Sequence, residues 1–219
     1  MTSLPILLAV LSVALVGGLI AYSFKLERDR TEALQALAAT MGLTFQPRID
    51  DDLARSFGDL PLFGRGHSRK GTNLLSGQRD GTELRLFDYR YTTGGGKNSH
   101  TYQQTVALFP GAGRGLPDLL LAPENIFHKI GQVFGYQDID FESAPDFSSH
   151  YLLRGSDEMA IRSAFNIGAL QFFGTHQGWH VEVMGGTVGI YKSGIRPKPA
   201  DLPTFLAEAR DALRALVPG

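Results

Sequence analysis

The sequence predicts an α+β fold in which an N-terminal transmembrane helix precedes an antiparallel sheet with flanking helices. Three observations predict it. Leu4 to Phe24 is apolar and carries no charged side chain. The middle of the chain is a series of short strand-patterned runs joined by tight turns, and tight turns demand antiparallel pairing. Helical patterns stand at the start, the centre and the end. The expected organisation is a short tail (1–3), a transmembrane signal anchor (4–24), a juxtamembrane helix (25–42) and a soluble α+β domain (43–219). The strands of that domain form one sheet, a barrel, or two sub-sheets parted near residue 135.

The segment LPILLAVLSVALVGGLIAYSF meets the requirement of about 20 apolar residues for crossing the hydrocarbon of a bilayer. A cleaved signal peptide fits it less well, because it opens without a basic region and ends without a small-x-small cleavage site. No side-chain charge precedes the span, while Lys25, Arg28 and Arg30 follow it. The positive-inside rule therefore puts the N-terminus outside and Lys25 onward in the cytoplasm. Leu26, Arg30, Leu34, Leu37 and Met41 then recur at helical spacing up to Gly42, a residue suited to a left-handed helix end. The stripe is too short for a coiled coil, so packing on the domain is expected.

GLTFQP reads as a strand, and DDLARSFGDLPLF as a capped helical turn followed by an apolar Leu60 to Phe63 segment that needs burial. NLLSGQ, ELRLFDYRYTT and HTYQQTVALFP predict a three-stranded meander, with Asp80-Gly81 as its first hairpin turn. LPDLLLAP is extended or a buried edge. PENIFHKIGQVFG is an amphipathic helix, YQDIDFES and SSHYLLRG are two strands, and Ser156 starts a helix running into MAIRSAF. WHVEVM and TVGIYK flank Gly185-Gly186 as a second hairpin, and Asp201 caps a final helix with Leu202, Phe205, Leu206, Ala209, Leu213 and Leu216 on one side.

Composition narrows the function. Lys and Arg total 21 against 22 Asp and Glu, for a net charge of -1, so no whole-protein field favours nucleic acid. The absence of cysteine removes disulfide frameworks, zinc ribbons and thiol nucleophiles. GGGK at Gly94 to Lys97 is not a phosphate-binding loop: Asn98 stands where Ser or Thr is required, Tyr91 replaces the first glycine, and a strand follows instead of a helix. It reads as a glycine hairpin tip. Glu124 and His128 share a helix face, a spacing that metal sites use, but no third ligand is marked; no metal or other cofactor is expected.

No G-x-S-x-G elbow occurs, and no catalytic residue is assigned. Asp88, His100 and Tyr102 are expected to approach across the hairpin. The ladder of Asp88, Tyr89, Arg90 and Tyr91 against His100, Tyr102, Gln103 and Gln104 is the candidate ligand or partner surface. Arg65, Arg69 and Lys70, together with Lys25, Arg28 and Arg30, are candidate contacts to anionic headgroups.

TYQQTVALF, LPDLLLAPENIFHKIG and YQDIDFES followed by HYLLRGSDE resemble a group of uncharacterised bacterial proteins with an N-terminal membrane helix. The resemblance covers Leu60 to Gly174 and implies a bacterial inner-membrane protein, without supplying an activity. The expectation is a single-pass protein whose cytoplasmic domain binds a protein partner or acts as a scaffold. A small-molecule hydrolase on the antiparallel sheet and a lipid-binding barrel are the alternatives.

Overall fold

The computed structural model describes residues 3–49, 57, 59–124 and 138–217. Helix α1 (Ser3–Met41) runs without a break from the apolar segment through the charged stretch that follows it. At 1.5 Å per residue it is about 58 Å long. It is long and apolar enough to cross a membrane, and the other described residues bury none of its apolar window. The change comes one helical stretch later, where Leu34 and Ala38 are buried and Leu37 and Met41 pack against them. The stripe therefore docks on the sheet, as its short length predicts. Gly42 takes φ 68°, and bonds from Gly42 N to Ala39 O and from Leu43 N to Ala38 O close the helix as a Schellman motif.

The eight strands are β1 (Thr44–Arg48), β2 (His67–Arg79), β3 (Thr82–Thr93), β4 (His100–Phe109), β5 (Leu119–Pro123), β6 (Tyr151–Gly155), β7 (Trp179–Met184) and β8 (Thr187–Lys192). They form one sheet in the order β1-β2-β3-β4-β8-β7-β5-β6, and every pairing is antiparallel. Pairing of β4 with β8, from Val106↔Tyr191 to Phe109↔Val188, joins the first four strands to the last four. The β-region is thus a single sheet rather than two sub-sheets. Both short hairpin turns take positive φ at two consecutive residues, Asp80 and Gly81 in one and Gly185 and Gly186 in the other, which is the type I′ requirement.

Each face of the sheet carries its own core. On one face, the end of α1 and helix α6 (Leu202–Leu216) cover Leu86, Ala107, Val181 and Ile190. On the other, the Leu60 to Phe63 segment, most of which lies in the short helix α2 (Pro61–Gly64), covers Phe87, Tyr89, Val106 and Tyr191. Three further helices, α3 (Pro145–His150), α4 (Glu158–Ala164) and α5 (Ile167–Thr175), complete the first core with Phe147, Ile161 and Phe173.

Several elements differ from the sequence expectation. The described part of YQDIDFES is not a strand; instead Asp138 Oδ1 accepts from Leu153 N and Ile139 N, so a side chain takes the place of a ladder partner along β6. β5 is an inner strand between β7 and β6, with all five residues buried. The run at His67 to Lys70 begins β2, and positive φ at Ser68 and Asn73 accommodates its register shifts. Asp157 rather than Ser156 caps α4, accepting from Ala160 N. Asn166 caps α5, whose short apolar sequence gave little periodicity to read. Asp201 makes no capping bond to α6, because a 3-10 turn at Pro199–Asp201 leads directly into it. The predicted Pro123 helix lies outside the described residues.

Candidate functional site

The residues that matter most are assembled where α1 meets the sheet. A β-strand alternates its faces, so Asp88 points with Leu84 and Leu86 towards α1, while Tyr89 and Tyr91 point to the other core. Arg30 lies one helical turn before Leu34 and meets Asp88 with both ends of its fork: Nε donates to Oδ2 and Nη2 to Oδ1, each at 2.8 Å. Arg30 Nη1 also donates to Pro197 O at 2.6 Å. Asn73 Nδ2 and Thr105 Oγ1 donate to the same carboxylate at 3.0 Å. Arg196 lies 3.1 Å from Asp88 Oδ2 and holds Glu27 with two 2.6 Å bonds.

Burial works to raise the Asp88 carboxyl, but the bonds and charges of Arg30 and Arg196 outweigh it and hold the group below the usual carboxylate range. Glu27 is also held down, chiefly by its bonds from Arg196. Two carboxylates and two guanidiniums balance, and each of the four carboxylate oxygens accepts from an arginine. That arrangement fixes a helix to a sheet and leaves neither acid free to take a proton from a substrate.

A cleft of about 770 Å³ opens beside this lock. Its walls include Ile20 and Phe24 of α1 and the cations Arg28, Arg48, Lys70 and Arg90.

The candidate ladder divides between the two faces. Register pairs Asp88 with Thr105, Arg90 with Gln103, Tyr91 with Tyr102 and Thr93 with His100. Asp88, Arg90 and Gln103 therefore border the cleft, whereas Tyr102 stacks on Tyr91 at 5.1 Å and His100 meets Tyr102 at 4.4 Å on the opposite face. Asp88 does not meet His100 or Tyr102: an odd offset along paired strands separates them. Gln104 is buried and accepts from Gly194 N. The glycine tip is a 3-10 turn, with Gly94 and Gly96 at positive φ and a Cβ at Gly94 placed 2.4 Å from Asn98 O.

Of the candidate headgroup cations, Arg30 and Arg65 are sequestered in ion pairs, the first with Asp88 and the second with Glu182. Arg69 is committed in part to Phe63 O. Lys25, Arg28 and Lys70 remain exposed. Glu124 is exposed, and its proposed companion His128 lies outside the described residues. Among the described residues, no group of three His, Asp or Glu side chains is placed to hold a metal.

A second polar cluster, missed by the sequence reading, lies beneath α2. Glu182 is fully buried and receives Arg65 Nη2 at 2.6 Å, Tyr191 OH at 2.8 Å and Leu62 N at 2.8 Å. The signal was the pair of polar residues at alternate positions, His180 and Glu182, in the strand WHVEVM. His180 stacks on Tyr191 with ring centroids 4.6 Å apart, and among the described residues neither ring nitrogen has a hydrogen-bond partner of good geometry, the Gly178 backbone being a weak neighbour. Burial and then the Arg65 charge push His180 down to about 3.

The unfolded chain therefore binds a proton near the ordinary histidine value while the folded chain stays neutral. The contribution of His180 is complete above pH ~6.5 and is lost as pH falls from there towards 3. His180→Phe is expected to flatten that acid slope, by up to about 1.4 kcal/mol per pH unit, in urea titrations between pH 4 and 7. An unchanged slope would show that His180 does not carry it.

Fold and junction together define an α+β protein with a long apolar N-terminal helix locked onto an eight-stranded antiparallel sheet. No family model and no curated protein matches the chain. Among solved structures, it is similar to the crystal structure of the mycobacterial trehalose monomycolate transport factor A, TtfA. The TM-score is 0.57 at 12% sequence identity, covering 86% of this chain and 95% of that one. The likeness shows a shared fold of this mixed α+β kind.

Proposed function

We propose that the chain is a single-pass bacterial inner-membrane protein, anchored by residues 4–24, with a non-catalytic domain from residue 43 onward held in the cytoplasm. In this reading it is an accessory factor in envelope-lipid transport that binds and positions a protein partner at the inner face of the membrane. The observation that carries the reading is the junction. An unbroken helix enters the sheet and is clamped by Arg30 and Asp88 shortly after the apolar segment ends, so the span fixes the height and orientation of the domain. The pairing of Asp88 and Glu27 with arginines supports a mechanical role, and the likeness to the transport factor TtfA supports the setting.

Crosslinking and affinity capture of the full-length protein from membranes test the reading. The comparison is with a variant carrying a flexible Gly-Ser insert between Phe24 and Lys25. A specific membrane partner is expected with the native junction and is expected to fall several-fold with the insert, which leaves the anchor in place. Failure to recover a specific partner, or equal capture by both forms, would overturn it.

A further inference from the structure

We infer that the cleft between α1 and the sheet binds the phosphate-bearing headgroup of an anionic phospholipid from the leaflet that surrounds the helix. The inference rests on the proposed membrane span and adds a ligand to it. Ile20, Ser23 and Phe24, from the last turns of the apolar segment, line one wall. With residues 4–24 in the hydrocarbon, that wall sits at the boundary between acyl chains and headgroups. The opposite wall brings Arg48 from the end of β1, Lys70 from β2 and Arg90 from β3 into the same space.

Among the described residues, the charge of these walls is one-sided. Asp88 and Glu27 are neutralised by Arg30, behind the cleft wall, and by Arg196. Arg48, Lys70 and Arg90 are exposed and have no carboxylate within 4.0 Å among the described residues, and Arg28 has only a 3.6 Å exposed pairing with Glu32. Cations this close together repel one another, and an anion between them relieves the repulsion. The apolar side of the cleft suits an acyl chain and not a free ion. The cleft thus presents fatty and phosphate-binding surfaces in the order in which a lipid offers them. Cationic side chains from three strands and the helix surround one volume, which distinguishes the site from a basic strip that only grazes the surface.

The test uses full-length protein in phosphatidylcholine nanodiscs with and without phosphatidylglycerol, followed by native mass spectrometry of the lipids retained on release into detergent. Wild type is expected to keep phosphatidylglycerol in preference to phosphatidylcholine. The triple variant Arg48→Gln, Lys70→Gln, Arg90→Gln is expected to lose about a hundredfold in retention, from three contacts each contributing about fivefold. A control with Lys97→Gln, Arg114→Gln and Lys198→Gln, all exposed and outside the cleft, removes the same charge and is expected to retain lipid as wild type does.

Equal loss in both triple variants, or no preference for the anionic lipid in wild type, would overturn the lipid site. So would displacement by millimolar inorganic phosphate without any lipid adduct, since the cleft would then hold free anions. Carbonate extraction run in parallel separates the two readings: release of wild type from membranes defeats the anchor, whereas a retained protein without selective lipid defeats only the cleft. Matching thermal midpoints for the two triple variants establish that both are folded.

Discussion

Replacing Arg65 with methionine is expected to lower the unfolding free energy by about 3–5 kcal/mol, the cost of leaving a buried charge uncompensated. Glu182 has no solvent exposure, so once Nη2 of Arg65 is gone its carboxylate keeps only the neutral donors Tyr191 OH and Leu62 N. The charge balance of the cluster is lost although two of its hydrogen bonds remain. Burial works against the Arg65 cation, but the neighbouring Tyr191 and Glu182 oxygens hold it above its usual value, so the guanidinium stays charged against Glu182 in the native state.

The double variant Arg65→Met, Glu182→Leu removes both charges together and is expected to recover much of the loss, with a coupling energy of about 2 kcal/mol or more in a double-mutant cycle. Urea unfolding of the four proteins supplies the cycle. Additive losses would mean that the two side chains act independently and that the 2.6 Å pair is not the element holding α2 down.

Why this cluster escaped sequence reading, while the sheet around it did not, follows from the range of each signal. The hairpins at Asp80-Gly81 and Gly185-Gly186 are local: turn residues and alternation within a dozen positions specify them. The α6 face is local as well, since Leu202, Phe205, Leu206, Ala209, Leu213 and Leu216 recur with the helical period and are all buried. The order of strands in the sheet is not local. β4 pairs with β8 across a long stretch of chain, and no residue near Val106 names Tyr191 as its neighbour.

The two ion networks share that difficulty. Arg65 and Glu182 stand 117 positions apart, and Arg196 and Glu27 stand 169 apart. A charged residue in a strand or juxtamembrane helix reads as a surface group until the partner that buries it is known, which is how Arg30 and Arg65 came to be expected at the membrane surface. The candidate ladder is divided between two faces for a simpler reason. Proximity along a hairpin was legible, but the alternation of faces assigns Asp88 and Arg90 to the cleft and Tyr102 and His100 to the far side.

Asp88→Ala is expected to release the helix from the sheet, at a cost of about 3–5 kcal/mol, because it leaves two arginines facing one another without the carboxylate between them. The rim is a useful comparison. Glu27 also binds Arg196, but its side chain is 55% exposed, so Glu27→Gln is expected to cost less than about 1 kcal/mol. The contrast separates a buried clamp from a solvated pair on the same helix.

Because the folded value of Asp88 lies below the ordinary carboxylate range, its contribution is complete above that range and is lost progressively as pH falls from there through the folded value. The clamp is therefore intact at neutral pH, and its removal by mutation is visible there. Limited trypsin digestion of detergent-solubilised protein reads the release directly. Cleavage after Arg28 and Arg30 is expected to accelerate at least tenfold in Asp88→Ala and to change little in Glu27→Gln. If cleavage there accelerates while the sheet keeps its unfolding midpoint, the junction opens as a unit of its own. If both fail together, Asp88 belongs to the cooperative core, and the helix cannot detach without unfolding the strands on which it rests.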